Sequence, residues 1–183
     1  MIPVATLTTK RFTLRPLRRE DAGALFPTLS DPEQCRYLTR EAFGSEAELW
    51  DWLADADWPG RTWIAQDRGI AEDAGGIAGR FVAVPAHEDG VIEIGYIVCA
   101  HRQGEGAAKE CAAALIAHLF ALPVPEGGAR KITAEVDPRN AASVRLLERL
   151  GFTREAHFRE HETTHIGLCD AYVYGLLKRE YAA

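Results

Sequence analysis

Gln103, Gly104, Glu105, Gly106, Ala107 and Ala108 form a run suited to holding an anion. It follows the apolar stretch Val91 to Val98 and opens a second apolar stretch reaching Leu122, an order that predicts strand, glycine loop and helix start. A helix N-terminus carries unpaired N–H groups and partial positive charge, which suits a phosphate or pyrophosphate. Gly104 and Gly106 have no Cβ to hold the backbone away from such a group. A tight turn would use the same glycines, so the loop by itself leaves both readings open. A second chemical pattern is His161-Glu162-Thr163-Thr164-His165, the H-E-x-x-H of zinc hydrolases. That chemistry needs a helix that puts both histidines on one face, and a third ligand further on. The adjacent threonines, and a third ligand available only near the end of the chain at Glu180, favour instead a substrate loop with incidental histidines. There His157, His161 and His165 would make substrate binding sensitive to pH.

The elements that must position these residues are legible in outline. Thr8 to Pro16 alternates around Phe12 and Leu14 as a first strand. Asp21 to Leu29 and Pro32 to Leu38 read as short helices, and Ser45 with Glu48 forms a capping box for a helix through Leu53. Trp50, Trp52 and Trp58 make this arm rich in large apolar surface, for core packing or for a substrate cleft. Arg61 to Gln66, Ile77 to Val84, Val91 to Val98, Lys131 to Val136 and Tyr172 to Leu177 read as strands, with turns at Ala74-Gly75-Gly76 and Pro85 to Gly90. In Val91 to Val98, Ile92, Ile94, Tyr96 and Val98 share one face, and Glu93, Gly95 and Ile97 the other. Ala107 to Leu122 is apolar almost all round, a buried helix stopped by Pro123 and Pro125. Asn140 to Leu150 is a helix with Leu146, Leu147 and Leu150 inward and Gly151 beyond its end. Strands and helices interleave, so the class is α/β or α+β.

Composition narrows the function. With 183 residues, 47% of them apolar, one core and one domain spanning 1–183 are expected. A net charge of −6 argues against nucleic-acid binding and is compatible with a cationic substrate. Cys35, Cys99, Cys111 and Cys169 have no C-x-x-C spacing, and Cys99 and Cys111 sit in or near apolar runs as small buried thiols. Met1 to Lys10 does not resemble a signal peptide, and no apolar stretch is long enough to span a membrane. A reducing cytoplasm is the expected compartment, with no membrane partner.

Four blocks in order resemble the GCN5-related N-acetyltransferase (GNAT) family. Gln103, Gly106 and Ala108 fill the acyl-CoA loop pattern Q/R-x-x-G-x-G/A, with Glu110 just inside the helix. Asn140-Ala141-Ala142-Ser143 followed by Leu147 to Phe152 is similar to the N-x-x-S…E-K-L-G-F block of the ribosomal-protein-alanine acetyltransferase branch. Thr9 to Leu17, and Glu93-Ile94-Gly95-Tyr96, resemble further blocks of that branch. The resemblance runs from about Thr8 to Tyr181. Two departures stand out: Glu105 lies where a basic residue is common, and Cys99-Ala100-His101-Arg102 lacks a common acidic-proline pair.

The resemblance implies a mostly antiparallel mixed sheet flanked by helices, with two central strands splayed apart at a bulge. It implies acetyl-CoA as co-substrate, no metal, and direct transfer to an amine in a ternary complex. The pyrophosphate would sit on Gln103 to Ala108, and the thioester would face the backbone of Ile97 and Val98. Ser143 would hydrogen-bond or protonate the departing sulfur, and Asn140 would cap its helix and touch the cofactor. Glu162 is the first candidate base, ahead of Asp170 in the chain, with Glu93 its rival because other branches use a glutamate on the equivalent strand. The acceptor would be a protein N-terminal α-amine or a small-molecule amine, and the assembly a homodimer. An acyl-CoA-binding module without turnover is the alternative from another class, with the zinc hydrolase more remote.

Overall fold

Thr9 divides the expected first strand. In the computed structural model, which describes residues 3–70 and 76–181, β1 is Leu7–Thr8 and β2 is Phe12–Pro16. The Thr9 N–H donates to the Phe12 carbonyl at 2.8 Å and the Thr9 hydroxyl accepts from the Phe12 N–H, closing a tight turn between them. The helical arm follows as α1 (Asp21–Leu29), α2 (Pro32–Cys35) and α3 (Glu46–Leu53), with α2 ending earlier than expected. The Ser45 side chain caps α3 through the Glu48 N–H, but the Glu48 carboxylate bonds the Gly44 N–H and Arg40 rather than completing the box. Then come β3 (Arg61–Asp67), β4 (Ile77–Pro85), β5 (Val91–Val98), α4 (Ala107–Ala121), β6 (Lys131–Val136) and α5 (Ala141–Arg149). The turn expected at Ala74-Gly75-Gly76 falls largely outside the described residues.

The chain closes with a hairpin of β7 (Thr153–Thr164) and β8 (Gly167–Leu177). The sequence pattern predicts only the second half of β8 and a loop in place of β7. β7 is an edge strand exposed along most of its length, so no buried face imposes a two-residue hydrophobic period on it.

One eight-stranded sheet in the order β1-β2-β3-β4-β5-β6-β8-β7 runs through the chain. Every pairing is antiparallel except β5 with β6. Helices α4 and α5 pack on one face, where Leu115, Ile116 and Leu119 meet Ile92, Ile94, Ile132 and Leu147. Each fully buried aliphatic side chain there contributes about 1.5–3 kcal/mol. The arm covers the other face, where Leu25, Leu29, Leu49 and Leu53 pack on Ile64 and Ile77. An ion pair ties the arm to β2: Asp21, 2% exposed in the first turn of α1, takes Arg15 Nη2 at 2.7 Å and Arg15 Nη1 at 2.9 Å. β5 alternates as expected, with Ile92 and Ile94 in the first core and Ile97 against the second.

The feature that makes a site is the brevity of the parallel pairing. Val91, Ile92 and Glu93 lie opposite Lys131, Ile132 and Thr133, and beyond them β5 and β6 part. The splay is thus present, but β5 itself is unbulged: its register with β4 is regular from Ile92 to Val98. The sheet's irregularity in this region lies one strand over, between β3 and β4, where Ala65 pairs with Gly79 and Gln66 with Ile77.

Candidate active site

A cavity of about 950 Å³ occupies the splay and extends from the glycine loop to the helical arm. Its walls hold Glu93, Ile97, Val98, Gln103, Gly104, Gly106, Ala107, Ala108, Asn140, Ser143 and Glu162, residues drawn from widely separated parts of the chain. Of the candidates named from sequence, Glu105 stands apart: it is absent from the wall and ion-pairs with Arg102 at 3.1 Å.

At one end, Gly104 and Gly106 hold φ of 79° and 78°, the left-handed region that penalises any Cβ. Gly106 is the N-cap of α4 and supplies no side-chain cap, so the first helical N–H groups keep the anion-binding character predicted for them. The Gln103 amide donates to the Gln34 side chain at 2.8 Å and to the Val98 carbonyl at 3.2 Å, tying the loop to β5 and α2. Glu110 anchors the helix from beneath, accepting from Thr9 and from the backbone and side chain of Arg11. Burial pushes its carboxyl up, but those three donors prevail and hold it below the usual carboxylate range.

In the middle lies the backbone of β5. Cys99 N–H bonds the Ala78 carbonyl and Ala86 N–H bonds the Val91 carbonyl, with regular register between. Antiparallel alternation therefore turns the N–H groups of Ile94, Tyr96 and Val98 into the gap and commits the N–H of Ile97 to β4. Of the two backbone contacts expected, Val98 has its amide facing the cleft, while Ile97 offers a side chain to the arm. A Cβ on Gly79 would run into the Ile97 carbonyl oxygen, so this approach of β4 to β5 requires glycine.

Across the gap, Asn140 Oδ1 caps α5 through the Ser143 N–H at 3.2 Å. The Ser143 side chain and the Tyr96 phenol are neighbours on the cavity wall. Burial pushes the phenol's pKa up and outweighs the opposing effect of Ser143, so Tyr96 is neutral at physiological pH. Sequence reasoning placed Tyr96 only within a family block and gave it no role. Its two-residue alternation with Ile94 and Val98 marks only a shared strand face, and the hydroxyl at its tip is the available signal.

Beyond Ser143 three carboxylates converge: Glu93 on β5, Glu135 on β6 and Glu162 on β7, all on the cavity wall. The cleft wall strips water from one side of Glu93, and the charges of Glu135 and Glu162 add to this, so its pKa is raised. Glu135 was missed because an isolated glutamate on a strand reads as solvated. Asp170 is not brought to the cleft; it accepts from the Glu160 N–H at 2.9 Å and contacts His157 Nε2 at 2.8 Å on the outer surface of the hairpin.

The zinc reading fails on geometry. His161 to Thr164 belong to β7 and His165 to the hairpin turn. Four residues of strand separate side chains by roughly 13 Å, against about 6 Å for one helical turn. His161 stacks on Phe158 at 5.0 Å, and among the described residues no group of three His, Cys, Asp or Glu is placed to hold a metal. All four cysteines are free and buried, and burial pushes Cys99 to about 11 and Cys111 to about 12, which leaves neither as a thiolate nucleophile. Among the described residues, no helix is long and apolar enough to cross a membrane.

At the arm end, Trp52 reaches the cavity wall and also packs against the second core, so the tryptophan-rich arm serves both uses considered for it. Beside it is Arg80, 6% exposed, whose guanidinium lies 4.5 Å from the Trp52 ring and 5.1 Å from that of Trp58. Burial alone pulls its pKa down to about 10, so it remains charged at neutral pH.

Known proteins share this fold. Residues 11–153 match the family described as Acetyltransferase (GNAT) domain. The uncharacterized N-acetyltransferase p20 of Bacillus licheniformis is 32% identical, with 97% of this chain and 98% of that protein covered. The crystal structure of a GNAT-family acetyltransferase from Bacillus anthracis superposes with a TM-score of 0.83 at 21% identity, covering 96% of this chain and all (100%) of that one. A spermidine N-acetyltransferase from Vibrio cholerae, in complex with CoA and spermine, superposes with a TM-score of 0.77 at 21% identity, covering 93% and 97%. The chain is an acetyltransferase and belongs to the GNAT family.

Proposed function

We propose that this protein moves an acetyl group from acetyl-CoA directly to an amine bound in the same cavity. The observation that carries this reading is the splay of β5 from β6, which opens an unpaired strand edge directly onto an uncapped glycine-rich helix N-terminus. An extended pantetheine chain fits an open strand edge, and a pyrophosphate fits the N–H groups of Gln103 to Ala108. Bound acetyl-CoA supplies the activated acyl carbon and the thiolate leaving group. The protein's share is to position that carbon, steady the charge that develops on its oxygen, and manage two protons.

The Val98 N–H is the backbone donor for the thioester oxygen. Ser143 donates to the departing sulfur, and the neutral Tyr96 phenol stands beside it on the cavity wall. Glu162 holds the incoming ammonium and takes its proton, directly or through a water, while Glu93 and Glu135 draw the cation into the cleft. Asn140 fixes the first turn of α5, and with it the position of Ser143. The acceptor is a protein N-terminal α-amine or a small-molecule amine.

The test is amine-dependent release of CoA thiol by the purified protein. The account predicts stoichiometric release and acetylated amine. Binding of acetyl-CoA with no transfer to any amine across peptides, amino acids and polyamines would instead establish the silent acyl-CoA-binding module.

A further inference from the structure

The fold buries several arginines, and it partners them differently. Arg15 meets Asp21 at 2.7 Å and Arg102 meets Asp67 at 2.6 Å. Arg61 donates to the Gly127 carbonyl at 2.6 Å and, like Arg80, leaves one buried nitrogen (Nη1) without an acceptor among the described residues, but it lies away from the cavity. Arg80 is on the cavity wall, has no carboxylate partner among the described residues, and leaves its buried Nε without a hydrogen-bond acceptor there. Among the described residues its one hydrogen bond runs from Nη2 to the Thr62 hydroxyl at 3.2 Å. Trp52 and Trp58 satisfy the faces of the guanidinium but offer nothing to its in-plane N–H donors. The cation is held flat and rigid, with donors unsatisfied, at the edge of the site.

Its position relative to the carboxylates is fixed by the sheet. Arg80 lies directly opposite Ile97, on the face that also carries Gly95 and Glu93. Four strand residues put the backbones of Arg80 and Glu93 roughly 13 Å apart, a gap that two long side chains narrow to the length of a small molecule. This face of β4 and β5 therefore presents a carboxylate toward the splay and, toward the arm, a guanidinium with no carboxylate partner among the described residues. Resting on the acetyltransferase reading above, we propose that the acceptor carries a carboxylate beside its amine, as a free amino acid does, and that Arg80 receives that carboxylate. A polyamine would instead press a second cation against Arg80, so the acceptor chemistry differs from that of the spermine-bound Vibrio cholerae enzyme.

The experiment measures kcat/KM for free L-amino acids, each against its decarboxylated amine, with spermidine as the polycation. The best amino acid should exceed its amine by roughly tenfold to a hundredfold, the range for a charge-assisted hydrogen bond. Arg80→Met, which keeps apolar bulk between the two indoles, should collapse that preference to within about threefold, and Arg80→Lys should keep part of it. Better turnover of spermidine or of the decarboxylated amines in the wild type would overturn the inference, and so would a preference that survives Arg80→Met. Tryptophan fluorescence reads the same site without turnover, because Trp52 and Trp58 frame the guanidinium. A response to amino acids that their amines do not give, and that Arg80→Met abolishes, supports the carboxylate site even if no acetyl group moves. Absence of any response to any amino acid overturns it. Failure to bind or consume acetyl-CoA would count against the acetyltransferase reading alone.

Discussion

Gly79→Ala is the perturbation that most cleanly separates backbone geometry from side-chain chemistry. Residue 79 touches neither cofactor nor acceptor in this account, yet a Cβ there would collide with the Ile97 carbonyl oxygen and lie 3.0 Å from the Val98 Cα. The atoms it meets are backbone, so no side-chain rotation relieves the clash, and β5 must move away from β4. Overpacking of this kind costs about 1–3 kcal/mol, and an immovable partner places Gly79→Ala near the top, at about 3 kcal/mol. At ~2–4 °C per kcal/mol for a chain of this size, Tm should fall by roughly 6–12 °C. The displaced strand carries the Val98 N–H, so acetyl-CoA affinity should weaken together with Tm. Thermal unfolding and calorimetric titration of the variant check both. A Tm within a degree or two of wild type with unchanged affinity would refute the claim that this close approach sets the cleft.

Glu162→Gln should lower kcat by roughly tenfold to a hundredfold while acetyl-CoA affinity is kept; an unchanged kcat, with a large loss in Glu93→Gln, would move the base to β5. Because Glu93 is raised by burial and by its two neighbouring carboxylates, its native form binds a proton that the unfolded chain has already released, so its contribution to stability falls as pH climbs from the usual 4.5 through the raised value. Glu93→Gln should flatten that fall in urea titrations across acidic to neutral pH. Ser143→Ala and Tyr96→Phe should be non-additive in kcat, since the two side chains are neighbours on the cavity wall; strictly multiplicative losses would show that they act independently. Asp21→Ala removes the buried carboxylate that Arg15 grips and should cost ~3–5 kcal/mol, visible as a lower urea midpoint.

Local chemistry was the part of the fold that the sequence made legible. The strand bounds of β5 and β6, the Ser45 and Asn140 caps and the stop of α4 before Pro123 each follow from periodicity or cap preference, and all appear in the structure. β7 was not legible, because an exposed edge strand has no buried face to write a pattern. The strand–glycine–helix order pointed to the glycine loop and the family resemblance to Ser143, and both line the cavity. Arg80, Glu135 and Tyr96 could not be found in this way, since their roles arise from which strands pair: a lone arginine on a strand says nothing until β4 sets it opposite Ile97 and the arm closes over it. The same holds for the Ile97 amide, whose direction depends on β5 having no bulge.

The most direct test of the central claim is calorimetric titration of the purified, metal-free protein with acetyl-CoA. The account predicts one-to-one binding in the micromolar range. Absence of binding would contradict it, because the glycine loop and the open edge of β5 would then serve some other purpose.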